Sequence, residues 1–222
     1  MIAQMTTIRL LGAVQLFVFV AGLISEQLLT SVAGTGSVYK ILLSVSRNLT
    51  RMRISNLVAL LNCLAIILLG VLFYAVFSKE YRVVALLALI CFVAEAITLA
   101  VSKIGTYGLI PLSEQFVEAG SPELAHFHAL GDFLYHGVDR LGYLVHMLFF
   151  CLGGILWYYL LHSSGAVPRA LSIWGLAAVS LLIIPTLLQL YDRNLTAAMV
   201  LGLPYAPYEV VLGLWLVVKR FG

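Results

Sequence analysis

Apolar residues come in runs of about 20, separated by short polar or charged intervals. This is neither the two-residue alternation of a half-buried strand nor the narrow stripe of a soluble amphipathic helix. A helix needs about 20 mostly apolar residues to cross a bilayer. Six runs fit: 9–29, 56–77, 83–101, 139–161, 170–190 and 204–218. The pattern predicts an all-α integral membrane protein with six transmembrane helices in one bundle, residues 1–222 forming a single domain. The first run has Arg9 ahead of it, as a secretory signal would. Its apolar part is long, however, no small-x-small site follows closely, and Glu26 sits near its end. It reads as a retained first helix.

Two intervals are long enough to carry structure. In 38–54, Lys40, Arg47 and Arg51 fall on one helical face and Ile41, Leu42, Val45, Leu49 and Met52 on the opposite one. That amphipathic segment suits a helix in the headgroup plane, or equally a connector helix packed on the bundle. The interval 104–138 before the fourth span is a long, partly helical loop. Ser113-Glu114 is expected to open a short helix that Gly120 ends. Ser121-Pro122-Glu123 then supplies a cap, a first-turn proline and an acid. The helix starting there runs, bent at Gly131, into the fourth span. Near the last span, Pro204 and Pro207 each remove a backbone donor. The sixth helix is either kinked there or starts at Pro204, leaving 195–203 as a separate apolar piece. Either way, irregular backbone falls beside Glu209, and at membrane depth this is tolerated only against protein or a wet cavity.

Composition agrees with this reading. Hydrophobic residues make up 62% of the chain and charged residues 10%, far from a soluble domain. A net charge of +3 without a basic run argues against nucleic acid as a partner. Cys63, Cys91 and Cys151 lie within apolar runs, as buried thiols rather than a disulfide framework. Basic residues divide six to seven between the two faces, which gives no decision on orientation. The N-terminal face has the shorter loops, Lys219 and Arg220 at the C-terminal end, and all three tryptophans nearby. On that ground both termini are placed in the cytoplasm.

Ionisable groups inside a membrane are costly and mark function. Glu26, Glu95 and Glu209 all fall in the non-cytoplasmic halves of their helices, with Asn56, Asn62, Gln189, Tyr205 and Tyr208. Leading into the fourth helix, His128, Asp132, Tyr135, His136, Asp139, Tyr143 and His146 recur at spacings of three, four and seven. They form one stripe roughly 100° wide, with Arg140 beside it, able to pair with an intramembrane glutamate. Three readings of the stripe stand. It is a metal site drawn from His128, Asp132, His136 and His146, a hydrogen-bonded polar seam, or a wet vestibule for a small polar solute. Retinal is argued against because Lys40, Lys79, Lys103 and Lys219 all lie at helix ends or in loops. Haem would need deep histidines on facing helices, and only His146 is deep. Ser163-Ser164-Gly165 looks like an intramembrane protease motif but falls in a turn away from the histidines.

That turn carries a resemblance. Tyr159-Leu160-Leu161-His162-Ser163-Ser164-Gly165-Ala166-Val167-Pro168-Arg169-Ala170-Leu171 resembles a bacterial family of integral membrane proteins catalogued as domain of unknown function 4386. Ala21-Gly22 followed by Glu26 looks like the family's first helix, and Glu95 after Phe92-Val93-Ala94 like its third. Glu209 with Leu214-Trp215-Leu216-Val217-Val218-Lys219 looks like its last helix, and His136 or a neighbour takes the place of a histidine before the fourth. The resemblance implies six membrane helices and a bacterial cytoplasmic (inner) membrane, and no assigned chemistry.

Together these readings predict a polar pocket in the non-cytoplasmic half, lined by Glu26, Glu95, His136, Asp139, Arg140, His146, Tyr205 and Glu209. The leading expectation is binding or transport of a small solute or lipid headgroup by a protein whose solvent is the lipid bilayer. A metal-dependent membrane hydrolase and a structural or accessory subunit are the alternatives. No cofactor is predicted beyond a metal ion at the histidine stripe.

Overall fold

The computed structural model describes residues 2–34, 36–120 and 125–218, which are helical almost throughout and contain no strand. Helix α1 is Ile2–Ala33, α2 Val38–Arg47, α3 Leu49–Phe77 and α4 Arg82–Glu118. Then α5, Ala125–Asp132, passes through a π-helical stretch, Phe133–Arg140, into α6, Leu141–Ser163. Helix α7 is Arg169–Tyr191, followed by a 3-10 segment, Thr196–Gly202, and α8, Tyr205–Val218. Six helical stretches are long and apolar enough to cross a membrane: Thr6–Ala33, Leu49–Phe77, Arg82–Glu118, Ala125–Ser163, Arg169–Tyr191 and Thr196–Val218. Their outer faces agree. On α3, Leu57, Leu61, Leu64, Leu68 and Val71 form an exposed stripe at helical spacing. A contiguous exposed apolar face of this kind belongs against lipid. The chain is an all-α, multi-pass membrane protein.

The structure differs from the sequence pattern in three places. No separate helix opens at Ser113-Glu114, because α4 runs unbroken to Glu118, with Pro111 inside it. The Ser113 hydroxyl donates back to the Ile110 carbonyl (2.7 Å) instead of capping a new helix. Burial of Leu109, Ile110, Leu112 and Phe116 in one core keeps the helix going. Helix α3 starts at Leu49, so Arg51 and Arg53 belong to its first turns. Departure from α-geometry falls at Phe133–Arg140 rather than at Gly131. Gly131 serves a close approach, since a Cβ there would press on Val38. Of the two options for the last span, the separate piece holds, as a 3-10 turn ahead of α8. The expected start signal Ser121-Pro122-Glu123 and the basic pair Lys219 and Arg220 lie outside the described residues.

By internal contacts the chain divides into two compact units. One takes α1 through Phe19, Leu64–Ala96 and the chain from Leu144 onward. The other takes Val20–Cys63 and Ile97–Tyr143. The first is packed around aromatic side chains: Phe73 lies tilted against Trp157 (4.6 Å) and Tyr158 meets Tyr208 edge-on (4.9 Å). The second has an aliphatic core to which α2 contributes Val38, Ile41, Leu42 and Val45. The apolar face of α2 therefore lies on protein, and Lys40 and Arg47 point outward.

Candidate functional site

In the first unit, α1 and α8 run antiparallel and nearly touch. A Cβ on Gly12 would come within 2.7 Å of the Leu216 Cβ and 2.9 Å of the Gly213 carbonyl oxygen. That approach brings Gln15, one turn along α1, to Glu209, one turn back along α8. The Gln15 Nε2 donates to Glu209 Oε1 at 2.9 Å. Tyr205, four residues before Glu209 and so on the same helix face, donates its hydroxyl to the same oxygen at 3.0 Å. Since that proton is spent on Glu209, the hydroxyl bond between Tyr158 and Tyr205 has Tyr158 as donor. Among the described residues no lysine or arginine reaches ion-pair distance of Glu209.

Glu95, from α4, borders the same small chamber as Glu209. The two acids are only 2% and 6% exposed. The chamber is walled by Gln15, Phe92, Phe150, Trp157, Tyr158 and Tyr205 among others, and its free space holds about one water molecule. Behind Glu95, the His146 Nδ1–H donates to the Glu95 carbonyl oxygen (3.2 Å). The Trp157 indole N–H and the Tyr208 hydroxyl are buried with no hydrogen-bond partner among the described residues. Tyr208 lies over Gly175, where any side chain would strike its hydroxyl, and packs edge-on against Trp174. Chemically the carboxylate oxygens and aromatic faces suit a small, positively charged or protonic occupant, and the one uncommitted N–H suits a water beside it.

The second unit holds a different cluster. Lys103 Nζ meets Asp139 Oδ1 at 2.7 Å, with the side chains 3% and 0% exposed. Arg140 donates from Nε to Asp139 Oδ2 (2.8 Å) and from Nη1 to Glu26 Oε1 (2.7 Å). The Tyr135 and Tyr143 rings lie 5.4 and 5.6 Å from its guanidinium carbon. Two cations and two anions cancel, as a buried network must. Around them, Thr106 donates to Asn56 (2.7 Å), and Ser25 and Ser55 exchange hydroxyl-to-carbonyl bonds. This cluster binds α1, α4 and the π-helical stretch to one another.

The residues expected to line one pocket are thus found in two settings. Glu95, Tyr205 and Glu209 line the chamber, with His146 behind them on the Glu95 backbone carbonyl, while Glu26, Asp139 and Arg140 share the ion network. His136 donates Nδ1–H to Asp132 at 2.9 Å, on an exposed helix face. His128 packs edge-on against Tyr39. Among the described residues no three His, Cys, Asp or Glu side chains form a group able to hold a metal ion.

Four important residues had gone unread. Lys103, placed at a helix end because the apolar run stops at 101, lies well inside α4 and is buried. Gln15, Tyr158 and Trp157 sit in apolar runs without a charge to single them out. A polar residue of α1 at a helical multiple from a glycine was the one available signal for Gln15.

The chain matches the family described as "Domain of unknown function (DUF4386)" over residues 10–219 and belongs to it. Neither a curated protein nor a solved structure matches it.

Proposed function

We propose that this member of the DUF4386 family binds and transports a small cation, proton included, at the chamber between Glu95 and Glu209. One observation carries this reading: two nearly fully buried acids face one water-sized space inside membrane helices. Buried charge in a bilayer is retained where an ion or proton is handled. The backbone supports it, because the 3-10 turn Thr196–Gly202 interrupts the last span just before Tyr205 and Glu209. Discontinuous helices beside a polar site are a recurrent feature of membrane carriers. The space is too small for a lipid headgroup in this conformation, so the solute reading takes precedence over the headgroup. We place the chain in a bacterial inner membrane with both ends cytoplasmic.

The test compares wild-type protein in nanodiscs with the E95Q/E209Q double variant. Titration calorimetry with sodium, potassium and ammonium salts is run beside proton uptake on acidification. The wild type is expected to take up one of these species in a saturable way that the folded double variant has lost. Equal uptake by both proteins would end the proposal.

A further inference from the structure

We infer that the chamber's occupant is a proton exchanged with Glu95 through a single water, and that Glu209 Oε2 is the atom that receives it. This rests on the cation-site reading above and narrows it.

The balance of donors and acceptors argues first. Hard metal cations are held by several oxygen ligands, six or more for calcium and magnesium. Here the polar lining consists of the two carboxylates, the Gln15 amide and the Tyr158 and Tyr205 hydroxyls, whose protons are committed toward Glu209, and the Trp157 indole N–H has no partner among the described residues. An N–H directed at a bound metal ion or ammonium opposes its charge. The same N–H suits a water, which accepts from it and from a protonated Glu95 and donates to Glu209. A buried water typically makes about three bonds to polar groups that otherwise go unmet.

The direction of the hydrogen bonds selects the atom. Each hydroxyl carries one proton, and those of Tyr158 and Tyr205 are committed in sequence toward Glu209 Oε1. Gln15 gives a second donor to that oxygen. A proton on Oε1 would have to reverse the hydroxyl chain or evict the amide. Both of these donors from the described residues fall on Oε1, so the proton arrives at Oε2. The titratable groups facing Glu209 are Glu95 from α4, Tyr158 from α6, and Tyr205 and Tyr208 from its own helix. Cys91 and Cys151 border Glu95, and His146 bonds to its carbonyl. From α1 comes the neutral Gln15, and α3 contributes Ile66 and Leu69.

The step balances. The Glu95 carboxyl gives its proton to the water as the water gives one of its own to Glu209 Oε2. Glu95 is left as carboxylate and Glu209 as acid, the water is regenerated, and no electron changes hands. Gln15, Tyr205 and Tyr158 are positioning residues, and Trp157 orients the water.

Infrared difference spectroscopy on protein in nanodiscs tests this across a pH step, in H2O and D2O, beside sodium, potassium and ammonium calorimetry on the same samples. The expected result is a deuterium-sensitive carboxyl band, absent in E209Q and altered in E95Q. Y205F removes a donor from Oε1, so it should move the band in frequency without abolishing it. A purely structural tyrosine would leave the band in place. Y158F serves as the milder second variant should Y205F unfold, and W157F should slow the exchange. If no carboxyl band titrates while a metal or ammonium ion binds in a Glu209-dependent way, the proton inference fails and the cation site stands. If neither signal depends on Glu95 or Glu209, both fail.

Discussion

Lys103 shows how much one residue's surroundings decide. Its ammonium lies 2.7 Å from Asp139 with both side chains almost fully buried. Removing Lys103 leaves Arg140 alone facing two anions, Asp139 and Glu26, and breaking a buried pair so that one charge is uncompensated costs about 3–5 kcal/mol. Lys103→Met is therefore expected to lower detergent-state stability by about 3 kcal/mol, read by thermal or denaturant unfolding. Adding Asp139→Asn removes the excess negative charge and leaves Arg140 paired with Glu26. The double variant should recover much of the loss, giving a coupling energy above about 1 kcal/mol in a double-mutant cycle. Additive losses would mean that the pair is not coupled as the 2.7 Å contact requires. At this scale the sequence was readable where a charge stood out against an apolar run, as at Glu95 and Glu209. It was unreadable for Lys103, because an apolar window ends where charge begins and cannot tell a helix end from a buried ion pair. Gln15 and Trp157 fail differently: their role depends on a partner about 194 positions away in the first case, and on an unmet N–H in the second.

Between elements, two kinds of close fit set the geometry. The first is the crossing of α1 and α8. A Cβ on Gly12 would meet the Gly213 carbonyl oxygen at 2.9 Å and the Val217 nitrogen at 2.9 Å, both backbone. A Cβ on Gly213 would meet the Leu16 side chain at 2.6 Å, which can rotate away. Gly12→Ala should thus cost about 2 kcal/mol from overpacking, and Gly213→Ala less. Both should weaken the Gln15–Glu209 bond, so Gly12→Ala is also expected to shift the Glu209 infrared band. The reverse ranking in unfolding midpoints would refute the crossing. The second fit is the π-helical stretch Phe133–Arg140, which carries Asp139 and Arg140 to Lys103 and Glu26. A π-bulge is in effect an α-helix with one residue too many. Deleting Gly137 should restore α-geometry through the stretch and displace Asp139 and Arg140 from their present positions against Lys103 and Glu26. Both ion pairs would then break together, with a loss of stability at least equal to that of Lys103→Met. No hydrophobic pattern announces such a stretch, since the stripe His128 to His146 reads as ordinary α-helix. The continuous α4 was hidden for a related reason: Pro111 and Ser113 are local stop and start signals that burial of Leu109, Leu112 and Phe116 overrides.

At the scale of the molecule, runs of apolar residues were the strongest signal in the sequence, and the six helices follow them. The count has a consequence that does not depend on which face is cytoplasmic. Moving along the chain, the turn after α3 and the turn between α6 and α7 come after even numbers of crossings. The segment between α7 and α8 comes after an odd number. Lys79 and Arg193 are both exposed and stand at turns of opposite parity. Single cysteines in place of each should be labelled by a membrane-impermeant maleimide from opposite sides of sealed vesicles. The native thiols interfere little, because Cys63 and Cys151 are buried and Cys91 is half-buried. Labelling of both positions from one side would mean that one of the six helical stretches does not cross. The weakest of the six is Thr196–Val218, with a mean hydropathy of 1.5 against 1.9–2.6 for the others. Its 3-10 turn and polar first helical turn account for that low value. The features that weaken it as a span are the ones that give Tyr205 and Glu209 their place at the chamber. The labelling result at Arg193 therefore bears on function too, because a last segment that crosses the membrane puts both acids of the chamber on transmembrane helices.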